Sequence, residues 1–465
     1  CVGRARERKL VVPHPWRISQ SGQLARATNT PQMDFIVEPS AVRDSTVEVP
    51  GDKSVSHRAL MLGGIARGRT DISGFLAGED CLATLEAMSR MGVAIEQESA
   101  TDIVIHGVGR HGLHMADGPL DLGNSGTAMR LLAGLMSGQR FTSVLSGDES
   151  LTGRPMQRVI VPLTAMGALI KSKAGKPPLT ITGHYPLTAI DYELPVASAQ
   201  VKSAIMLAGL YADGVTSVIE PAVTRDHTER MIESMGGKVE RNGRQISLPG
   251  QQELSGCHVQ VPAVLSSASF VMLAVLLAEK ADVLIPNVGV NPTRTGIIDV
   301  LRAMGADIRL ENTRHYGQEP VADIRVRSST LRGGPVDPAL VSLAIDEFPV
   351  LFVAAAAARG ATTFSGIAEL RVKESDRIAA MACGLRALGI TVDEYEDGAV
   401  VRGGKFTGGT VASHGDHRVA MSLAIAATIA ADSVVVKDVA AVATSFPGFN
   451  DCMSALGVRI DVSGP

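Results

Sequence analysis

Residues 302–310 read RAMGADIRL, in which the end of a helix is followed by a Met-Gly pair and a short β-like run. The same pattern, with Met or Leu before the glycine, occurs six times at intervals of about 70 residues. The other copies are SRMGVAIEQ (89–97), TAMGALIKS (164–172), ESMGGKVER (233–241), RALGITVDE (386–394) and SALGVRIDV (454–462). Glycine directly after a helix is the usual left-handed cap, and a strand can then begin. The sequence therefore predicts an internally repeated α/β protein.

A second, more apolar helix also recurs six times, and a β-rich segment follows each copy. The copies are SHRALMLGGIARG, TAMRLLAGLMSG, QVKSAIMLAGLYADG, SSASFVMLAVLLAEK, EFPVLFVAAAAARG and HRVAMSLAIAATIA. Because these helices are apolar around most of their circumference, we expect them to be buried. A chain of 465 residues exceeds what one hydrophobic core usually supports. Six units therefore predict two domains of three units each.

Two related segments indicate where the chain crosses between these domains. VEVPGDKSVSHRAL (47–60) and VQVPAVLSSASFVM (259–272) share a Val-x-Val-Pro strand end and a Ser-rich helix entry. We therefore expect crossovers near residues 52 and 262. Lobe 1 is predicted to be discontinuous, comprising residues 33–52 and 262–465, and lobe 2 to comprise residues 53–261, with the active site in the cleft between the lobes.

The segment of residues 1–32 differs from the rest of the chain. Its first ten residues, CVGRARERKL, have four basic side chains and one acidic side chain, and the apolar core of a secretory signal does not follow. We expect this segment to be disordered, a transit-like leader, the remnant of a fused upstream domain or a cloning artefact. The ordered protein is expected to begin near Met33.

The overall composition restricts the class of protein. A formal net charge of −4 gives no global basic field for nucleic acid. The longest apolar runs, such as Val350–Ala357, are much shorter than the roughly 20 residues that span a bilayer. The five cysteines are scattered without a C-x-x-C pair, which is typical of reduced thiols. We therefore expect a cytoplasmic protein with neither nucleic-acid nor membrane partners.

Basic residues stand at equivalent places in the repeat. Arginines lie at or just before the start of helices that end at Met/Leu-Gly, namely Arg154, Arg225, Arg294 and Arg377. The apolar helices open with Lys53-Ser54 and Arg58, with Asn124–Thr127, with Ser198–Gln200, and with His417-Arg418. Helix N-termini attract anions, and arginine binds carboxylate or phosphate bidentately. One such residue is usually solvated, but a repeated set predicts a shared site for a small ligand with several negative groups.

Ten segments of the chain carry a family resemblance. They are VPGDKSVSHRAL, DLGNSGTAMRLL, SLTGRPM, VASAQVKSA, IEPAVTRDHTE, NPTRTG, IDEFPVL, ELRVKESDR, DHRVAMS and TSFPGF. In this order, over about residues 34–462, they resemble the motifs of the 5-enolpyruvylshikimate-3-phosphate synthase family, bacterial type.

The resemblance implies a fold and a reaction. The fold is an inverted α/β fold of two lobes, each built from three βαβαββ repeats, in agreement with the repeat count. The reaction is the transfer of the enolpyruvyl group of phosphoenolpyruvate to the 5-hydroxyl of shikimate 3-phosphate, with release of phosphate. The resemblance implies no metal or organic cofactor, and we expect a monomer whose partners are these two substrates.

The resemblance also assigns residues to the substrates. Phosphoenolpyruvate is expected to contact Lys53, Gly126, Arg154, Gln200, Arg377 and Arg418. Shikimate 3-phosphate is expected to contact Lys53, Ser54, Arg58, Ser198, Gln200, Arg225, Asp346 and Lys373.

Three residues are predicted to be catalytic: Asp346, Glu374 and Lys53. The family pattern makes Asp346 the base near the 5-hydroxyl and Glu374 the proton donor to the methylene carbon, a division that two carboxylates in different environments can support. Without the motif, Asp346 and its neighbour Glu347 would be interpreted as a helix N-cap pair. Arg371 and Asp376 have no predicted substrate role, and we expect a helix cap or a local ion pair there.

Three positions depart from the family pattern. Many members have Lys just before the last Phe-Pro, whereas Thr444 and Ser445 precede Phe446 in this chain, so one phosphoenolpyruvate contact is expected to be missing. Ala263-Val264 replaces a common Gly-Asp pair before the Ser-Ser helix entry, which is expected to alter the hinge or the floor of the site. Gly126 stands where some members have Ala, which excludes a bulky phosphonate inhibitor, so we expect no such steric block.

Other interpretations of the sequence remain. HGVGRHG (106–112) contains G-x-G-x-x-G, but a turn-rich segment follows it where a dinucleotide site needs a helix. His414 and His417 lack an evident third metal ligand, so we interpret them as hydrogen-bonding residues at a helix start. The alternative functions are a UDP-N-acetylglucosamine enolpyruvyl transferase, whose loop Cys and Lys-Asn pair are absent from this chain, and a non-catalytic phosphometabolite-binding protein.

Overall fold

The computed structural model describes residues 33–464, and the prediction made for residues 1–32 lies outside them. The six glycines of the Met/Leu-Gly repeat all have left-handed backbone conformations, with φ between +84° and +110°. A helix ends just before each of them and a strand begins within four residues after it. The helix–glycine–strand repeat predicted from the sequence is therefore confirmed.

The helices are short to medium in length. The α-helices are α1 (Lys53–Ile65), α2 (Glu79–Arg90), α3 (Gly126–Ser137), α4 (Glu149–Gly153), α5 (Gln157–Ala165), α6 (Ala199–Gly209), α7 (His227–Ser234), α8 (Leu265–Leu277), α9 (Gly296–Ala303), α10 (Val341–Ala344), α11 (Phe348–Ala357), α12 (Arg377–Ala387), α13 (His417–Ala427) and α14 (Phe449–Ala455). Four 3-10 helices span Pro338–Leu340, Ile345–Glu347, Ala368–Val372 and Ala440–Thr444.

The strands alternate with these helices. They are β1 (Asp34–Val37), β2 (Ser45–Thr46), β3 (Arg67–Ser73), β4 (Ala94–Gln97), β5 (Ile103–Val108), β6 (Leu120–Asp121), β7 (Thr142–Ser146), β8 (Leu169–Lys173), β9 (Lys176–Thr182), β10 (Leu187–Thr188), β11 (Asp191–Glu193), β12 (Ala212–Asp213), β13 (Val215–Ile219), β14 (Glu240–Asn242), β15 (Gln245–Pro249), β16 (His258–Gln260), β17 (Asp282–Gly289), β18 (Asp307–Tyr316), β19 (Glu319–Arg327), β20 (Ala361–Ser365), β21 (Thr391–Tyr395), β22 (Gly398–Arg402), β23 (Gly409–Ala412), β24 (Val434–Lys437) and β25 (Ile460–Ser463).

Five four-stranded sheets share one arrangement, a parallel pair that continues into two antiparallel strands. Their orders are β6-β7-β9-β8, β11-β13-β15-β14, β16-β3-β5-β4, β2-β17-β19-β18 and β23-β24-β1-β25. A sixth sheet, β20-β22-β21, is extended by parallel bridges from Arg332 and Pro335. Strand, helix, parallel strand, helix and antiparallel hairpin form the βαβαββ unit, so the predicted unit is confirmed.

The apolar helices are buried, as predicted. Every residue of α8 from Leu265 to Leu276 is buried, and so is every residue of α11 from Phe348 to Ala356. The buried apolar side chains form two separate clusters. One combines residues 35–49 with residues 263–458, and the other contains residues 55–261. Each lobe of the α/β fold therefore has a core of its own.

The two crossover segments are hydrogen-bonded to each other. The backbone N–H of Asp52 donates to the Pro262 carbonyl at 2.8 Å, and the N–H of Val264 donates to the Pro50 carbonyl at 2.9 Å. Gly51 pairs with Ala263 at this point, and a Cβ on Gly51 would overlap a neighbouring backbone carbonyl. The two segments at which the sequence predicts the crossovers are therefore adjacent and fixed to each other.

The helices that follow the crossovers differ in their caps. The Asp52 carboxylate accepts hydrogen bonds from the N–H groups of Ser54 (2.7 Å) and Val55 (3.0 Å) at the start of α1. The corresponding residue before α8 is Val264, whose side chain makes no cap hydrogen bond. The departure noted at Ala263-Val264 therefore leaves the first turn of α8 without a side-chain acceptor from this position.

Within residues 33–464, one helical run, Pro338–Ala357, has the length and apolar composition of a membrane span. It consists of four consecutive helical segments and includes Asp346 and Glu347. Its most apolar window is 67% buried inside the structure. A core helix of a globular lobe accounts for its composition.

Candidate functional site

Asp346 lies in the 3-10 turn before α11 and faces several cations. Its carboxylate forms an ion pair with Arg225, and lies 3.7 Å from Arg377 Nη1 and 4.0 Å from Lys373 Nζ. Its backbone carbonyl accepts a hydrogen bond from Arg418 Nη1 at 2.9 Å. Burial by itself would raise the pKa of Asp346, but the cations, Arg225 first, hold it well below its ordinary value. Asp346 is therefore ionised at neutral pH.

The Arg225–Asp346 ion pair joins the two cores. Arg225 lies in the loop before α7, on the side of the 55–261 core, whereas Asp346 precedes α11 in the other core. Arg377 opens α12, and Lys373 lies just after the 3-10 helix Ala368–Val372. Because helix starts from both cores meet here, the residues predicted from repeated helix N-termini converge at one place.

Glu374 and Asp416 both bind the guanidinium of Arg377. Arg377 Nη2 donates to Glu374 Oε2 at 2.6 Å, and Arg377 Nε donates to Asp416 Oδ2 at 2.8 Å. Arg377 and Asp416 are almost completely buried, whereas the Glu374 side chain is about one third exposed (34%). Asp416 also caps α13, because its Oδ1 accepts from the N–H of Arg418 at 2.9 Å. One carboxylate therefore fixes Arg377 and the first turn that carries Arg418.

The charges around Glu374 determine its protonation. Burial by itself would raise the pKa of Glu374, but the cations, Arg377 first and then Arg154, hold it below its ordinary value. Burial, followed by Arg418, lowers the pKa of His417 to about 3. At neutral pH Glu374 is therefore ionised and His417 is neutral.

A second group of predicted residues surrounds the start of α3. Arg154 donates to the side chain of Asn124, and Gln200 accepts a hydrogen bond from Arg130 Nη1 at 2.7 Å. A Cβ built on Gly126 would lie 2.8 Å from Arg130 Nη1 and 3.1 Å from Arg154 Nη1. Burial, followed by Arg154, lowers the pKa of Arg130 to about 10. Two guanidinium groups therefore occupy the space beside the glycine.

Lys53 is held by a carboxylate that the sequence analysis did not identify. Lys53 Nζ forms an ion pair with Asp80, which lies in the first turn of α2. Asp80 is 7% exposed, and the Lys53 side chain is 29% exposed. The lysine is therefore partly exposed to solvent while a buried acid fixes its direction.

The remaining predicted residues hydrogen-bond inside the 55–261 core. Arg58 donates to Thr228 Oγ1 (2.6 Å), Ser203 Oγ (2.9 Å) and the Ser54 carbonyl (2.9 Å). It is 3% exposed, and burial lowers its pKa to about 10. Ser198 caps α6 with its hydroxyl. Arg58 is thus held in a buried network of hydroxyls, whereas Ser198 is half-buried at the start of α6.

The structure adds Asp80, Arg130, Asp416 and Glu347 to the site. Glu347 is 1% exposed and lies 3.3 Å from Arg294 Nη2 and 3.4 Å from Arg418 Nη1. Arg130 follows Gly126 by four residues in the same helix, so the i,i+4 rule applied to GTAMR gives this residue. The partners of Asp80 and Glu347 depend on contacts between distant segments, for which the sequence carries no local signal.

Arg371 and Asp376 make the predicted local contacts. Arg371 Nη1 lies 2.7 Å from Asp376 Oδ2, and Asp376 caps α12 by accepting from the N–H of Ala379 at 3.0 Å. The alternative cap role of Asp346 and Glu347 is not realised, since neither side chain caps α11. His417 is the first residue of α13 and His414 lies in the loop before it, while the carboxylate of Asp416 provides the cap of α13. Their interpretation as hydrogen-bonding residues at a helix start stays a prediction.

HGVGRHG is not followed directly by the helix that a dinucleotide site needs. After β5 the HGVGRHG segment continues through turns, and α3 begins only at Gly126. Gly109 in this segment donates to the Ala66 carbonyl at the C-terminal end of α1, about 20 Å from the Lys53 end of that helix. Among residues 33–464, no group of three His, Cys, Asp or Glu side chains is arranged to hold a metal ion.

Comparisons with known proteins identify the family to which the chain is similar. The family model described as EPSP synthase (3-phosphoshikimate 1-carboxyvinyltransferase) matches residues 37–453. Two proteins named 3-phosphoshikimate 1-carboxyvinyltransferase are similar over 92% of the chain. The one from Alkalilimnicola ehrlichii is 55% identical with 96% of its length covered, and the one from Nitrosococcus oceani is 53% identical with 97% covered. A solved EPSP synthase from Acinetobacter baumannii has a TM-score of 0.86 and 50% identity, covering 93% of this chain and 100% of that one.

Proposed function

Because the chain belongs to the EPSP synthase family, we propose that Asp346 and Glu374 divide the acid–base work of its reaction while the surrounding cations bind the substrates. The protein is a transferase of the shikimate pathway of aromatic amino acid biosynthesis. It transfers the enolpyruvyl group of phosphoenolpyruvate to the 5-hydroxyl of shikimate 3-phosphate and releases phosphate. The comparisons do not support the sugar-nucleotide transferase or a binding protein without activity.

The ionised state of Asp346 supports its role as the base. A carboxylate can accept the proton of the 5-hydroxyl as the hydroxyl oxygen bonds to C2 of phosphoenolpyruvate. The low pKa of Asp346 keeps the carboxylate ready at neutral pH. Lys373 and Arg225, the proposed contacts of shikimate 3-phosphate, also lie beside Asp346, so binding of that substrate brings its hydroxyl to the carboxylate.

Glu374 has to be protonated before it can donate to the methylene carbon. In the structure Arg377 and Arg154 favour its ionised form at neutral pH. Phosphoenolpyruvate carries a carboxylate and a phosphate, and binding of these anions to Arg377 and Arg154 would offset the cations and raise the pKa of Glu374. Substrate binding would thus convert Glu374 into an acid. Lys53, held by Asp80, contributes a fixed positive charge that stabilises the developing anions.

The two clusters of basic residues fit the two substrates. The proposed phosphoenolpyruvate group comprises Lys53, Gly126, Arg154, Gln200, Arg377 and Arg418. We add Arg130, because it hydrogen-bonds Gln200 and lies beside Gly126. The proposed shikimate 3-phosphate group comprises Lys53, Ser54, Arg58, Ser198, Gln200, Arg225, Asp346 and Lys373. Addition gives a tetrahedral adduct, and elimination then returns a methyl proton to Glu374 while the C2–O bond to phosphate breaks.

We also propose the organisation of the protein around this site. The two separate cores support lobes of residues 53–261 and of residues 33–52 with 262–465, with crossovers at 52 and 262. The site then lies in the cleft between the lobes. We propose that the protein acts as a cytoplasmic monomer, without a metal or organic cofactor.

Deuterium exchange tests the acid–base roles. In ²H₂O, reversible protonation of the methylene carbon introduces deuterium into phosphoenolpyruvate when shikimate 3-phosphate is present. Glu374→Gln is expected to lose this exchange and about 10²–10⁴-fold in kcat, and Asp346→Asn about the same in kcat. Glu240→Gln, an exposed residue of β14, is the matched control. Wild-type exchange in Glu374→Gln would contradict the role of Glu374 as acid.

A further inference from the structure

A charged cluster lies buried within the 55–261 core. Lys202 on α6 is 1% exposed, and its Nζ lies 2.8 Å from Glu229 Oε1 and 3.1 Å from Glu220 Oε2. Glu220 is 3% exposed and Glu229 is fully buried. Charges at such depth are stable only when they are paired. Lys202 is therefore the cation on which both carboxylates depend directly.

The same cluster holds the loop that carries Arg225. Residues 221–226, all described in the structure, form neither helix nor strand. The backbone carbonyl of Thr224 lies 3.5 Å from Lys202 Nζ, and the Thr224 hydroxyl donates to the Glu220 carboxylate. Both contacts are made by the residue immediately before Arg225. Lys202 and Glu220 thus hold the backbone at Thr224, the residue from which the chain continues to Arg225.

The charges of the cluster also involve Arg58. Among the described residues, no carboxylate accepts a hydrogen bond from Arg58, but Glu229 is the strongest attraction that opposes the effect of burial on its pKa. Two buried carboxylates therefore face two buried cations, Lys202 directly and Arg58 at a greater distance. Burial raises the pKa of Glu220, and Lys202 opposes that rise. Loss of Lys202 would leave an excess of buried negative charge below the loop.

We propose that Lys202 is a positioning residue for shikimate 3-phosphate: it fixes the loop of residues 221–226 so that Arg225 reaches across the cleft to the position of Asp346 and the substrate. The inference rests on the proposed role of Arg225 as a contact of that substrate. Arginine has a long side chain with many rotamers, so a fixed backbone beneath it lowers the entropy that substrate binding has to remove. Phosphoenolpyruvate binds to the other group of arginines, which this loop does not carry.

A purely structural role for Lys202 predicts a different result. Loss of a buried cation would then lower the melting temperature and the amount of active enzyme, and the KM values of the two substrates would change equally or stay constant. A positioning role predicts a selective change in the KM for shikimate 3-phosphate. The two roles are therefore separated by the ratio of the two KM values, which does not depend on the fraction of folded enzyme.

The experiment compares Lys202→Met with Lys171→Met, the same change at an exposed lysine of β8. Phosphate release is measured while each substrate is varied. Lys202→Met is expected to raise the KM for shikimate 3-phosphate roughly tenfold or more and that for phosphoenolpyruvate less than about threefold. Thr224→Val leaves Lys202 paired and is expected to give a smaller change of the same kind. Equal changes in both KM values, or no change in either variant, would overturn the proposal.

A double-mutant cycle identifies the residue through which Lys202 acts. If Lys202 acts through Arg225, the effects of Lys202→Met and Arg225→Ala on the KM for shikimate 3-phosphate are not additive. Additive effects would overturn the proposal. Two other results would show instead that the proposed function is wrong. The wild-type enzyme would release no phosphate from the two substrates, or Arg225→Ala would have a wild-type KM for shikimate 3-phosphate.

Discussion

Replacement of Asp416 by asparagine tests the buried pair on which Arg377 depends. Asp416 and Arg377 are 0% and 1% exposed, and Arg377 Nε lies 2.8 Å from Asp416 Oδ2. Removing one partner of a buried ion pair typically costs about 3–5 kcal/mol. Two features reduce that cost here. Asparagine keeps an oxygen that can cap α13, and Glu374 remains 2.6 Å from Arg377. We therefore expect Asp416→Asn to lower the free energy of unfolding by about 2–3 kcal/mol.

The expected loss corresponds to a fall in melting temperature of about 5–10 °C for a lobe of this size. The matched control is Asp393→Asn, which breaks an exposed pair with Arg402 at 3.1 Å and is expected to cost at most about 1 kcal/mol. Thermal unfolding followed by circular dichroism measures both variants. The KM for phosphoenolpyruvate is also expected to rise in Asp416→Asn, because Arg377 loses the buried carboxylate that holds its guanidinium in place.

The pH dependence gives a second readout of the same pair. The pKa of Asp416 is lowered in the folded state, since Arg377 outweighs the effect of burial. Its stabilisation is therefore fully present above the ordinary aspartate value of 3.8 and is lost as the pH falls through the lowered folded value. The difference in melting temperature between wild type and Asp416→Asn should stay constant from pH 7 down to about pH 4 and shrink only below 3.8. If the melting temperature of Asp416→Asn at pH 7 were no lower than that of Asp393→Asn, the reasoning would be refuted.

Two further substitutions test the groups proposed to bind phosphoenolpyruvate. Gly126→Ala places a Cβ 2.8 Å from Arg130 Nη1 and 3.1 Å from Arg154 Nη1, so both guanidinium groups have to shift, and the KM for phosphoenolpyruvate is expected to rise by about tenfold with little loss of stability. A wild-type KM for phosphoenolpyruvate in Gly126→Ala would show that the positions of the two arginines do not matter for binding, and would contradict this prediction. Asp80→Asn removes the partner of Lys53 and is expected to raise the KM of both substrates, because Lys53 is proposed to contact both. Steady-state kinetics with Asp80→Glu as the conservative variant measure this effect, and a change confined to one substrate would contradict it.

The repeated architecture could be predicted because its signals are local. A glycine with φ near +90° is required where each helix gives way to a strand, so the six Met/Leu-Gly pairs mark the units directly. The apolar residues around most of the circumference of α8 and α11 likewise predict that these helices are buried, without knowledge of their neighbours. Each repeated unit places a helix start at the same end of the unit. The arginines at equivalent helix starts could therefore be predicted to lie near one another.

The contacts that fix these arginines could not be predicted from the sequence. Asp416 lies 39 residues from Arg377 along the chain, Arg130 lies 70 residues from Gln200, and Arg225 lies 121 residues from Asp346. Which helix start faces which carboxylate depends on the packing of whole units. The lowered pKa of Glu374, the proposed proton donor, is a further consequence of that packing, since Arg377 and Arg154 come from different segments.

The most direct test of the account is phosphate release by the wild-type protein with each candidate acceptor. The account predicts rapid release from phosphoenolpyruvate with shikimate 3-phosphate, and none with phosphoenolpyruvate alone or with UDP-N-acetylglucosamine. The product with shikimate 3-phosphate should carry the enolpyruvyl group on the 5-hydroxyl, as determined by NMR. Release with the sugar nucleotide only, or with neither acceptor, would contradict the central claim.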